Sequence, residues 1–405
     1  MQTNSAPKNR IEVVDTLRGF ALLGIMLLHS IEHFDFFWST DLNPAVFATA
    51  DPIVDGLIRA LFSGKAYSIF SLMFGFSFFI QMDRAKSRGI DFRGRFIWRL
   101  TLLFIMGCLL RLVYIGEILT MYAVMGFFLV SFFPINRKIL VGIAILFILQ
   151  IPSIINITNS YINPDFSLNR NFGNGTWNEG FNIFANGTFF EAAKFNSWKG
   201  HIAVWSWSYY NGRYLQLLGL FILGLALGKS RFFENIMSYK KLMVRVLIIS
   251  FLALLALSVL LQNLSTFEMP RLRFSLWRQL LKSYTDIVQT TVYVSLIIVI
   301  AQRIKKNKVF SVLSNYGRMS LTNYIMQPLI GVPLFYGYGF AIYRYCGPTM
   351  SLFYGIVFLT LQLWVSKIWL KHFYYGPFEW IWRALTYFDF TLKFRKKPVL
   401  SVSNN

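Results

Sequence analysis

Apolar runs of about 18 residues or more recur along the whole chain, and no other feature constrains its fold as strongly. A run of that length, wound as a helix, is long enough to cross the hydrocarbon core of a bilayer. Composition points the same way. With 55% hydrophobic residues, 18% aromatic, only 14% charged and a mean hydropathy of +0.50, the chain is not a water-soluble globule. The runs fall near 13–31, 66–82, 96–115, 118–134, 139–157, 209–228, 243–262, 284–302, 312–335 and 350–370. The expected fold class is an all-α, polytopic integral membrane bundle of about ten transmembrane helices. The first run starts behind an acidic–basic pair and lacks a small-residue cleavage site, so it reads as a retained span.

Lysine and arginine set the orientation. With the N-terminus in the cytoplasm, most of the 40 basic residues fall on the cytoplasmic side. These include the clusters Arg84-Ala-Lys86-Ser-Arg88, Arg93-Gly-Arg95, Arg303-Ile-Lys305-Lys306 and Arg395-Lys396-Lys397. An even number of spans returns the C-terminus to the same side. The expected organisation is one membrane domain over 1–390 and a basic cytoplasmic tail over 391–405, in a bacterial inner membrane. The net charge of +22 is spread over short loops, where the positive-inside rule and anionic headgroups account for it. The expected partners are therefore the lipid bilayer and small molecules rather than nucleic acid. Cys108 and Cys346 are expected to be unpaired, and no zinc spacing, Walker loop or dinucleotide fingerprint is present.

Within the first span, Asp15-Thr-Leu-Arg18 is followed by His29. Eleven residues are about three whole turns, so Arg18 and His29 share a helical face and lie roughly 16 Å apart along the axis. Asp15, three before Arg18, is placed to pair with it. Ionisable groups at membrane depth are expensive and usually face a protein interior or a water-filled cavity. The alternative is that Asp15 and Arg18 are interfacial anchors and His29 snorkels outward.

Polar chemistry recurs elsewhere. Gly116-Glu117 sets an acid at the outer boundary between two spans, and Ser320, Asn323 and Gln327 make a polar stripe on one helical face. Such stripes often join neighbouring helices by hydrogen bonds rather than bind substrate. The stretch Tyr375-Gly-Pro-Phe-Glu379-Trp-Ile-Trp-Arg383-Ala-Leu-Thr-Tyr387 reads as an in-plane cytoplasmic helix starting at Pro377, with a Glu379–Arg383 pair and interfacial tryptophans. An outer segment over 158–208, rich in Asn, Gly, Phe and Trp, reads as a lid or interfacial cap. A shorter outer segment, 32–65, carries an amphipathic piece near 52–63.

Together these motifs resemble the bacterial YeiB-like family (domain of unknown function 418). The carrying residues are Asp15-x-x-Arg18-Gly-Phe-Ala-Leu-Leu-Gly-Ile and Gly116-Glu117-Ile-Leu, which is similar to a Gly-Asp-Ile-Leu turn. The two C-terminal signatures are Gly317-Arg318-Met-Ser-Leu-Thr322-Asn323-Tyr324-x-x-Gln327 and Gly376-Pro-Phe-Glu379-Trp380-x-Trp382-Arg383-x-Leu-Thr386. The resemblance runs from residue 11 to about 390. Family members are sometimes described as involved in transport. They also resemble multi-span acyltransferases that modify sugars outside the cytoplasm, which carry an arginine followed eleven positions later by a histidine. Arg18 and His29 fit that pattern, although many YeiB-like members have Asn at the position of His29. A histidine frequent ahead of the Gly-Asp-Ile-Leu turn is replaced here by Leu110-Arg111.

The resemblance implies an acyltransferase whose catalytic residues are His29, Asp15, Arg18 and Glu117. His29 is the general base or transient acyl carrier, and Asp15 holds Arg18. Substrate binding is expected at Arg95, Arg99, Asn323, Tyr324, Gln327, Glu379 and Arg383. No bound cofactor or metal is expected; acyl-coenzyme A is the donor substrate. The competing reading is a transporter of a small molecule or lipid-linked substrate.

Overall fold

A computed structural model of the chain describes residues 11–34, 45–163, 165–168, 176–304 and 307–396. Asp35, Lys305, Lys306 and the Asn-rich run 171–175 lie outside the described residues. The described residues are helical apart from their connections. They contain no strand, only an antiparallel bridge between Phe373 and Arg395.

Helix α1 (Glu12–His29) carries Glu12 and Asp15 in its first turn, where carboxylates complement the helix dipole, and ends at His29. It continues into wider π-type turns over Ser30–Phe34. Then come α2 (Ala50–Phe62), α3 (Lys65–Lys86), α4 (Arg93–Arg111), α5 (Leu119–Ser131), α6 (Arg137–Ile148) and α7 (Ile151–Ile162). The observed α2 matches the amphipathic piece expected near 52–63. Where one span was expected over 139–157, α6 and α7 meet at a bend of 41°. Gln150 adopts a left-handed conformation, and Pro152 in the first turn of α7 has no N–H with which to continue α6.

The described part of the 158–208 segment is largely helical, with α8 (Thr176–Asn186), α9 (Phe189–Phe195) and α10 (His201–Tyr210). Thr188 and Glu191 close α9 with a reciprocal capping box. This segment docks onto the bundle where Gly337 donates to the Phe184 carbonyl at 2.9 Å and the Phe184 ring meets Tyr336. The chain proceeds through α11 (Arg213–Lys229), α12 (Lys240–Gln262), the 33-residue α13 (Arg271–Arg303), α14 (Lys308–Arg318), α15 (Ser320–Phe335), α16 (Pro348–His372) and α17 (Pro377–Tyr387).

Among the described residues, five stretches are long and apolar enough to cross a membrane: Glu12–Glu32, Ala50–Lys86, Ile236–Thr266, Arg271–Arg303 and Pro348–His372. The bent pair α6–α7 makes a sixth if taken as one span. Ile248, Ile249, Leu252, Leu255 and Val259 of α12 face outward, an apolar surface that water would not tolerate and lipid does. The expected single span over 312–335 is broken at Met319 into α14 and α15.

At the centre, α1 packs against α3, α14, α15 and α16. Its crossing with α14 is close because Gly19 and Gly317 let the two backbones touch. Gly75 and Gly224 bring α3 and α11 together in the same way. Cys108, half-buried on α4, and Cys346, buried ahead of α16, form no disulfide with each other. The start of the basic tail is docked on the α16–α17 connection and on α17, with Tyr374 donating to the Phe394 carbonyl at 3.0 Å and Trp380 to the Leu392 carbonyl at 3.0 Å.

Candidate functional site

One face of α3 lines a cavity of about 820 Å³. Tyr67, Phe70, Phe74, Ser77, Gln81 and Arg84 recur every three or four residues, so they form a continuous stripe. From Tyr67 to Arg84 that stripe covers roughly 26 Å of helix, close to the thickness of a bilayer's hydrocarbon core. The adjoining wall is α1, which contributes Arg18, Ile25, Leu28 and His29, followed by Glu32. Arg18 and His29 therefore do share one face, and that face opens into a cavity rather than onto lipid.

The two ends differ in chemistry. At one end Arg18, Arg84, Arg88, Arg95, Arg99, Arg318 and Arg383 line the cavity, with Asp91 and Glu379 as the acids. Neither acid offsets that charge fully. Asp91 is engaged by Arg93 at 2.8 Å, which holds its carboxyl down at about 2. Glu379 is turned away into hydrogen bonds described below. Several arginines rest on aromatic rings: Arg99 over Trp382 at 3.6 Å, Arg95 over Tyr387 at 5.3 Å and Arg383 over Tyr375 at 5.1 Å. Arg18 keeps its predicted partner, with Nη1 donating to Asp15 Oδ1 at 3.1 Å, and also donates to Ser77 Oγ. Asp15 is buried and holds the guanidinium from behind.

The middle of the cavity is apolar, lined by Phe62, Phe70, Phe74, Phe78, Phe96 and Leu100. At the other end His29 is 7% exposed and lies among Tyr114, Tyr324 and Phe34, with ring centroids 5.2, 6.0 and 6.0 Å away. Glu32, Tyr67 and Arg213 complete this end. The wide turns that begin at Ser30 directly follow His29, and such insertions often mark functional positions.

Of the residues singled out in the sequence, the cavity brings together Arg18, His29, Arg95, Arg99, Tyr324, Glu379 and Arg383. Glu117, Asn323 and Gln327 do not line it. Glu117 is 5% exposed and accepts from the Thr120 N–H at 3.1 Å, with Arg111 Nη2 at 3.6 Å. It orders the Gly116–Leu119 turn, whose Ile118 N–H donates to the Tyr324 hydroxyl at 3.0 Å. Arg111 is the ion partner of that acid. Asn323 donates to the Tyr316 carbonyl at 3.2 Å and to Ser366 Oγ at 3.0 Å, and its own carbonyl accepts from Gln362 at 2.9 Å. Gln327 donates to the Tyr316 hydroxyl at 3.4 Å. The polar stripe thus ties α14, α15 and α16 together.

The expected Glu379–Arg383 pair does not form. Glu379 instead accepts from the Leu321 N–H at 2.7 Å, the Thr322 N–H at 3.1 Å and the Thr322 hydroxyl. The break at Met319 leaves first-turn N–H groups of α15 without helical partners, and a carboxylate is the natural group to satisfy them. Burial still pushes this carboxyl above its usual range, against those hydrogen bonds.

The sequence reading did not single out Ser77, Tyr67, Glu32 or Arg213 as site residues. A signal existed for the first two in the three-and-four spacing of polar residues along α3. Arg213 carried none, because its relation to the cavity arises from packing of α11 on α3.

Residues 227–389 match the model of a family described as protein of unknown function (DUF418). The chain is 25% identical to "Uncharacterized protein YxaH" of Bacillus subtilis (strain 168), over 93% of this chain and 94% of that protein. It is 27% identical to "Uncharacterized 39.9 kDa protein in amylase 3'region" of Bacillus acidopullulyticus, over 96% of each chain. It is also 27% identical to "Uncharacterized protein YeiB" of Escherichia coli (strain K12), over 92% of this chain and 95% of that protein. No solved structure matches.

Proposed function

We propose that this chain, a YeiB-like member of the DUF418 family, is a membrane acyltransferase. It takes an acyl group from a cytoplasmic coenzyme A thioester and delivers it to an acceptor, a sugar or related hydroxyl compound, outside the cytoplasm. In this reading the bundle has about ten spans in a bacterial inner membrane, with both termini in the cytoplasm. The carrying observation is one cavity whose arginine-rich end and histidine end lie on the same face of α1.

The division of labour follows from the lining. The arginines at the cytoplasmic end bind the donor's phosphates, for which planar, permanently charged guanidinium groups are suited. Asp15 and Ser77 hold Arg18 in place for that task. The apolar middle accommodates the thioester arm. His29 takes the proton from the acceptor hydroxyl as its oxygen attacks the thioester carbonyl carbon. The carbon–sulfur bond breaks, the proton passes to the departing thiolate, and the products are the acyl ester and free coenzyme A. Imidazole suits this because its ordinary pKa lies near neutrality. Tyr324 sits against His29 and fixes the Gly116–Leu119 turn; Glu117, Asn323 and Gln327 have supporting positions.

The test is transfer of labelled acetyl groups from acetyl-coenzyme A by the full chain in lipid. Transfer is expected to disappear in His29→Ala while membrane insertion is kept; undiminished transfer in that variant overturns the mechanism. The second reading is transport. It is favoured by the length of the cavity stripe on α3, and it predicts flux of an unmodified solute in proteoliposomes.

A further inference from the structure

At the histidine end the described acids are already engaged. Glu32 accepts from Arg59 at 2.5 Å, and Arg59 also binds Asp55 at 2.7 Å. Asp286, packed beside Gly64, is shared by Lys65 at 2.9 Å and Lys282 at 3.4 Å. Arg213, which lines the cavity at this end, makes no ion pair among the described residues. Its guanidinium lies over the Tyr67 ring at 4.2 Å and the Trp207 ring at 4.9 Å.

The Tyr67 hydroxyl also takes a hydrogen bond from Arg213, and stacking on the ring faces leaves the rest of the guanidinium's five N–H groups for other acceptors. The acid whose charge it feels, Glu32, is held first by Arg59, and a cation in a cavity within a membrane bundle is expensive to keep with so little compensation. A second donor stands one turn away. Gln216 is 3% exposed; its Oε1 accepts from the Tyr67 hydroxyl, and its Nε2 is buried with no hydrogen-bond partner among the described residues. Arg213 and Gln216 thus both engage Tyr67, with Arg213 carrying its permanent charge into the cavity and the unpartnered Gln216 amide buried beside it.

We propose that Arg213 recognises an oxyanion, a carboxylate or phosphate carried by the acceptor. The acceptor class is therefore an anionic sugar or sugar phosphate rather than a neutral sugar. This deepens the acyltransferase reading and rests on it for the word acceptor, but the anion site itself is tested without acyl transfer.

The experiment places the full chain in phosphatidylcholine nanodiscs and follows the part of the tryptophan fluorescence lost in Trp207→Phe. Inorganic phosphate and glucuronate, titrated at constant ionic strength, are expected to change this signal saturably, whereas glucose leaves it flat. Arg213→Ala should weaken the response about tenfold or more. Arg213→Lys, which keeps the charge and the fold but loses the fork, should weaken it less. Equal affinity in both variants and the parent overturns the proposal, as does a Trp207 signal silent to both anions. A signal that appears only when phosphatidylglycerol is added to the nanodiscs also overturns it, assigning Arg213 to a lipid headgroup. Failure of acetyl transfer with anion binding intact removes the enzyme reading alone; intact transfer with no anion binding removes this site alone.

Discussion

Gly19 on α1 and Gly317 on α14 bring two backbones into direct contact. A Cβ built on Gly19 would lie 2.0 Å from the Leu313 carbonyl oxygen, and one on Gly317 would lie 2.0 Å from the Asp15 carbonyl oxygen. Both atoms met are backbone, so neither can rotate away. Gly19→Ala and Gly317→Ala are each expected to lower stability by about 2–3 kcal/mol. Thermal unfolding of the purified protein in detergent checks this, and a loss well under 1 kcal/mol would contradict the close crossing.

Glu379 reaches α15 rather than Arg383, which separates two substitutions that an i, i+4 pair would make equivalent. Glu379→Ala strands the Leu321 and Thr322 N–H groups and should cost about 2 kcal/mol. Arg383→Ala removes ring contacts with Tyr375 and Tyr387 and should cost about 0.5–1 kcal/mol. Equal losses in unfolding experiments would restore the pair.

Asn323 is a structural tie between α14, α15 and α16. Asn323→Leu is expected to destabilise the fold by about 1–3 kcal/mol, because the Ser366 hydroxyl and the Tyr316 carbonyl lose a partner. Donor affinity, measured by coenzyme A binding, should not change. Weakened binding at full stability would return Asn323 to the substrate site.

Orientation is accessible to labelling. With Cys108 and Cys346 replaced by Ser, an impermeant maleimide should label Ser197→Cys in intact cells. Ser87→Cys should be labelled only after permeabilisation. Both serines are exposed on the protein. The reverse pattern would invert the proposed topology and place the arginine end outside.

His201, at the start of α10, has its pKa pushed down to about 4, first by burial and then by the Arg111 charge. The unfolded chain takes up this proton near 6.5, so between pH 6.5 and 4 it binds more protons than the folded protein. Stability should therefore fall as pH falls through that window. For a half-buried ring the effect at pH 5 is on the order of 1 kcal/mol. Melting curves at pH 7 and pH 5 should differ less in His201→Gln than in the parent; an equal difference would sink the assignment.

Local relationships were readable in advance. The Asp15–Arg18 pair, the shared face of Arg18 and His29 and the helix start at Pro377 all depend on spacing within one segment. The kink between α6 and α7 and the break at Met319 were not read. Hydropathy continues across both, while the backbone changes direction where Pro152 lacks the N–H to continue α6 and where the Glu379 carboxylate accepts the first N–H groups of α15.

By itself, the sequence determined that this chain forms apolar helices and that one of them carries an arginine and a histidine on a single face, because helical periodicity acts over a few residues. Tertiary structure decided which surfaces that face meets. It placed the α3 stripe beside Arg18 and His29 in one cavity, turned Glu379 onto Thr322, drew Glu117 and Asn323 away from the cavity and set Arg213 against Tyr67. Those outcomes depend on contacts between residues tens to hundreds of positions apart. Such contacts are set by which helices can approach closely, and the glycines at the α1–α14 and α3–α11 crossings are where that approach occurs.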